Sequence, residues 1–111
     1  MTTPLSDAQE IQITKLKSQI EIPDFYISAD IRQDYEKLFE DIMLLGVRTD
    51  KQARLDANVT VERVQRVLSA LYHALSPNDQ EIKDAIGGTM HDMGITRLSE
   101  KECRGAERGR G

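Results

Sequence analysis

Tryptophan is missing from this chain of 111 residues, aromatic residues make up 5% of it, and it holds a single cysteine. Each shortage removes a class of architecture. One cysteine cannot close an internal disulfide, so the framework is not a cystine scaffold, and a reducing compartment is the simpler expectation. With so few aromatic rings the core has to be aliphatic, built from Leu, Ile, Val and Met. No stretch approaches the roughly 20 consecutive apolar residues that a membrane span needs. Residues 1–10 have neither a basic start nor an apolar run, so no secretory leader is read there, and a soluble, cytoplasmic chain is expected. No strand-like alternation and no internal repeat are visible either.

What is present is helical spacing. In residues 57–75, ANVTVERVQRVLSALYHAL, the apolar Ala57, Val61, Val64, Leu68, Leu71 and Leu75 recur at steps of 4 and 3. Such steps gather them on one stripe of an α-helix, while Glu62, Arg63, Gln65 and Arg66 stay off it. A matching stripe, Ile31, Tyr35, Leu38, Ile42 and Leu45, lies in residues 29–45, with Phe39 and Met43 on its shoulder. Ser28 is placed to cap that helix and Gly46 to end it. An earlier helix is expected over residues 6–20, capped by Ser6 and stopped before Pro23. The opening MTTPLSD is expected to be loose, and Phe25, Tyr26 and Ile27 to pack down from a connector. Thr49 is placed to cap a short helix with Asp50 in its first turn, the alternative being one longer helix through Asn58, and a break near residues 58–60 is the preferred expectation. Ser76-Pro77 signals a restart, Ser76 capping and Pro77 at the first helical position. Gly87-Gly88 is expected to end or kink that helix, and Gly94 to close a further turn. Ser99 with Glu102 fits a capping box.

The fold expected is therefore all-α: a small bundle of four to five helices around a central antiparallel pair, residues 29–45 and 60–75. Residues 1–98 form one helical domain, and residues 99–111 a short helix and a disordered basic tail.

Two surfaces are candidates for function. Residues 58–68, NVTVERVQRVL, resemble the turn and recognition helix of bacterial helix-turn-helix regulators. Lys51 to Ala57 would be the first helix, Asn58 the turn, Val59 a buried anchor and Thr60 the second cap. The resemblance covers about twenty residues and departs from the pattern where a small residue usually packs the two helices together, because Arg54 stands there. It implies a transcriptional regulator, acting as a dimer, with Arg54, Arg63, Gln65 and Arg66 as DNA contacts. The second surface is acidic: Asp34, Glu36, Glu40 and Asp41 on the helix of residues 29–45, a candidate contact for a basic protein partner. The formal charge of −4 is uneven, the first 47 residues and residues 76–96 being acidic, residues 48–75 and the end basic. Such a distribution permits polyanion contact in the middle of a molecule whose overall field opposes it.

Chemistry has little to work with. His73 and His91 are eighteen residues apart, no Cys/His cluster has metal-ligand spacing, and Gly87-Gly88 lacks the Lys-Ser/Thr of a phosphate loop. Cys103 has no histidine near it in sequence. No cofactor, metal or catalytic set is expected. The leading expectation is a non-enzymatic protein-interaction module, an inhibitor, immunity-type protein or regulatory adaptor, that binds another protein or itself as a homodimer. DNA binding is the alternative, and no membrane is involved.

Overall fold

The computed structural model describes residues 2–21, 26–45 and 50–103, and its first helix begins where Ser6 permits it. The Ser6 hydroxyl accepts from the Gln9 N–H while the Gln9 side chain accepts from the Ser6 N–H, so two end donors are satisfied reciprocally. This helix, α1 (Asp7–Ile20), buries Ile13, Leu16 and Ile20. Helix α2 (Ala29–Leu45) starts with the Ile31 N–H donating to the Ser28 hydroxyl and buries Tyr35, Leu38, Phe39, Ile42 and Leu45. The short α3 (Lys51–Asp56) is capped by Asp50, whose carboxylate accepts from Gln52 N–H. That corrects the placement of Asp50 inside the first turn; the cap assigned to Thr49 lies outside the described residues, as do Gly46, Phe25 and residues 104–111.

Helix α3 ends in a left-handed turn. Asn58 has φ 60°, its N–H donates to the Leu55 carbonyl and the next N–H, of Val59, donates to that of Arg54. This is the Schellman closure, with asparagine in the place usually held by glycine. Thr60 then caps α4 (Val61–Ala74) by accepting from the Arg63 N–H. The break expected near residues 58–60 is present, and the stripe of Val64, Leu68, Leu71 and Leu75 is buried.

Two assignments downstream of α4 are corrected. The Ser76 hydroxyl does not cap; it donates to the Asp79 carboxylate at 2.9 Å beside a 3₁₀ turn over Pro77–Asp79. Nor do the paired glycines end α5 (Gln80–Asp92), which continues through both. A Cβ at Gly87 would make ordinary contacts with Arg97 and Tyr72, and one at Gly88 would face open space, so neither glycine is required by space. The helix stops at Gly94, φ 72°, in a second Schellman closure where Ile95 and Met90 are both buried. Ser99 and Glu102 exchange the two hydrogen bonds of a capping box.

The result is an all-α bundle. Helices α2 and α4 form its most extensive pairing, α1 packs on α5 and α2, and α4 also packs on α5. One core runs through them, from Leu5 to Ile95. The opening residues, expected to be loose, are docked: Leu5 is buried, its N–H donates to Val59, and Val61 N–H donates to the Thr3 carbonyl. The β-branched run Val59-Thr60-Val61 thus supplies a scrap of extended edge on which residues 3–5 lie. Among the described residues no helix is long and apolar enough to cross a membrane.

Candidate functional site

The eight candidate contact residues come from different surfaces, and the fold binds several of them to each other. Arg54 is 3% exposed and forms ion pairs with Glu10 and Asp7 of α1. Burial works against the charged guanidinium, but the hydrogen bonds and charges of Glu10 and then Asp7 more than offset it. The arginine that stands where a small residue was wanted is therefore the bolt between α1 and α3, and it is not presented to solvent. Glu10, read in sequence as a first-turn acid, gives no local sign of this pairing because its partner is 44 positions away.

Arg63 and Asp41, one from each candidate surface, pair with each other at 2.7 Å across the α2–α4 seam, both largely buried. Lys37 adds a second cation 3.2 Å from Asp41. Burial raises the Asp41 pKa, but the hydrogen bonds from Arg63 and Lys37 prevail and hold the carboxyl below the usual aspartate value. Gln65 donates to the Thr96 carbonyl at 2.8 Å. It is the first of three side chains one turn apart that fasten residues 96–98 along α4. Ser69 accepts from the Leu98 N–H at 2.9 Å, and the His73 Nε2 lies 2.8 Å from the Leu98 carbonyl. Tyr72 beside them is flanked by the cations of Arg97 and Lys83. Of the four DNA-contact candidates, Arg66 alone is exposed and forms no ion pair among the described residues.

The acidic candidates divide along α2. Asp34 and Asp41 share one stripe, seven residues apart, and Asp41 is spent on Arg63. Glu36 and Glu40 share another, one turn apart, with Met43 continuing it. This second stripe borders a groove of about 440 Å³ between the end of α1 and the middle of α2. Ile20, Tyr35, Phe39 and Met43 give it an apolar lining, and among the described residues its charged lining is Glu21, Glu36 and Glu40 against Lys17. The Tyr35 and Phe39 rings meet edge to face at 5.8 Å, which stiffens the floor. Burial, the largest influence, raises the Tyr35 hydroxyl pKa above the ordinary tyrosine value. Met43 is 55% exposed, Leu44 further round α2 is 76% exposed, and Tyr26 is 93% exposed rather than packed down as expected.

A second cleft, of about 700 Å³, lies where residues 3–9 meet Lys51, Arg54, Asp92 and Met93. Its buried charge, Arg54, is already satisfied by Asp7 and Glu10. Cys103, expected in a mobile tail, is buried. Among the described residues no three His, Cys, Asp or Glu side chains are grouped to hold a metal ion. No protein-family model, curated protein or solved structure matches the chain.

Proposed function

We propose that this chain is a small non-enzymatic protein-interaction module, of the inhibitor, immunity-type or adaptor kind, that binds another protein through its α1–α2 face. One observation carries the reading: an apolar groove lies open between two packed helices, bordered by exposed glutamates whose internal pairings are confined to lysines on their own helices. Soluble proteins bury most such surface, and a concave apolar patch with a polar rim is the usual form of a binding site. The reading also takes the cytoplasm as its place of action, supported by a lone thiol in a chain without disulfides. A second copy of the chain is a poorer occupant, because a two-fold interface would set Glu36 of each copy against Glu40 of the other, carboxylate against carboxylate. The test is affinity capture from the cells that make the protein, with the wild type and a Met43→Glu variant side by side. A partner held by the wild type and lost by the variant supports the reading. Identical recoveries overturn it.

The DNA-binding reading keeps one specific support, the α3–turn–α4 geometry with Asn58 at positive φ, Val59 buried and Thr60 capping. Against it, Arg54, Arg63 and Gln65 are all engaged inside the molecule, and Glu62 stands at the start of α4. The Thr3 N–H donates to Glu62 and holds its carboxyl below the usual glutamate value, so a negative charge is kept where a phosphate would approach. A gel shift with an Arg66→Ala variant separates the readings, since Arg63 is needed in the seam with Asp41. Retention that this variant abolishes would establish DNA binding at this face.

A further inference from the structure

We infer that the occupant of the α1–α2 groove is an amphipathic helix of another protein, with large apolar side chains one turn apart and lysine or arginine flanking them. This rests on the proposal that the groove is a protein-binding face, and it specifies the chemistry of the partner. Three features select it.

The first is charge. Glu21 stands on the α1 side of the groove, Glu36 and Glu40 on the α2 side; among the described lining residues Lys17 is the one opposing charge, itself 3.4 Å from Glu21, and Arg32 lies beside the groove at 3.4 Å from the Tyr35 hydroxyl. Glu40 has only a loose pairing with Lys37 at 3.9 Å. A segment carrying positive charge gains on both walls, and an acidic one is repelled by both.

The second is shape. The α2 wall runs from Tyr35 to Met43, a helix rise of about 12 Å. That length takes two anchoring side chains spaced i and i+4 or i and i+7, as in helix-in-groove recognition. Glu36 and Glu40 are themselves one turn apart, so basic residues four apart on the incoming helix meet them in register. The walls are two packed helices and offer no strand edge, so an extended peptide would find no backbone partners there.

The third is the floor. Phe39 and Ile20 are 3% exposed and Tyr35 8%, so the base is fixed by the core, and only Met43, half exposed and flexible, is free to adjust to the anchor.

The experiment is selection of a displayed library of helical peptides on the wild-type protein, with counter-selection on the Met43→Glu variant. Circular dichroism first checks that the variant is folded. The selected sequences are expected to carry paired large apolar residues flanked by Lys or Arg. Binding of a synthesised winner to the wild type should weaken as salt rises, and at low salt it should weaken roughly tenfold or more with Glu36→Lys, Glu40→Lys. Enrichment of acidic or uncharged peptides that still need Met43 overturns the basic-helix inference and leaves the groove as a binding face. Enrichment that ignores Met43, absence of any enrichment, or a wild-type dimer that Met43→Glu dissolves overturns this inference and the groove as a face for other proteins together.

Discussion

Arg54 shows how much one side chain decides here. Its charge is taken out of water, and the molecule tolerates this because Glu10 and Asp7 of α1 surround it. Removing the cation would leave Glu10, itself buried, without compensation. Arg54→Ala is therefore expected to cost about 3–5 kcal/mol, read from urea denaturation. Arg54→Met combined with Glu10→Leu should recover most of that loss, because replacing both charges by apolar groups of similar size removes the desolvation penalty. A double variant no more stable than Arg54→Ala would mean that the ion pairs hold the α1–α3 geometry by themselves. Two glycines give a contrasting pair of outcomes. Gly88 is exposed inside α5 with open space where a Cβ would go, so Gly88→Ala should stabilise by about 0.5–1 kcal/mol. Gly94 sits at φ 72°, and there the same change should destabilise by about 1 kcal/mol. Thermal melts of the two variants should move in opposite directions.

At the scale of elements, the seam between α2 and α4 was legible because both partners announce themselves by spacing. Ile31 to Leu45 and Val61 to Leu75 each repeat at helical steps, and each stripe is what the other buries. The ends were legible where a cap is local: Ser6, Ser28, Thr60 and Ser99 each bond to a residue three positions on. What escaped was long-range. Nothing within a few positions of Leu5 says that it will reach Val59, and nothing near Gln65, Ser69 or His73 says that residues 96–98 will lie along them. The groove escaped for the same reason, since its walls come from α1 and α2 and only the glutamates of α2 stood out. Gly87-Gly88 misled because the helix penalty of two glycines is about 2 kcal/mol at most, which the buried Ile82, Ile86 and Met90 on the same helix outweigh. The Asp41–Arg63 pair makes the seam sensitive to acid. The folded pKa of Asp41 lies below its unfolded value, so its stabilisation is complete above the ordinary value near 3.8 and disappears as pH falls through the folded value. Asp41→Asn should cost about 2 kcal/mol at neutral pH. The gap between variant and wild type should shrink steadily below about pH 4. A gap that stays constant down to pH 2 would show that the carboxylate charge contributes nothing to the seam.

For the whole molecule, charge and exposed apolar surface have to be weighed together. The net charge is −4, and two basic residues of the middle segment, which alone would suit a polyanion, are engaged inside the fold: Arg54 by α1 and Arg63 by α2. What the surface offers outward is the apolar groove with glutamates beside it. Exposed Met43 and Leu44 would favour self-association if surface apolarity were the only factor. A two-fold dimer across this face would bring four carboxylates, Glu36 and Glu40 from each copy, into one poorly hydrated interface. Like charges at such an interface cost several kcal/mol, comparable with what burying two methionine side chains would return. The protein is therefore expected to sediment as a monomer of 12.6 kDa at neutral pH and low salt. Glu36→Lys alone should shift it toward a dimer, because each new lysine then meets Glu40 of the other copy. Sedimentation velocity across a hundredfold range of concentration measures both. A wild type that is already dimeric, with a dimer that salt leaves unchanged, would show that the glutamates do not govern this face, and the choice of a basic partner would lose its electrostatic ground.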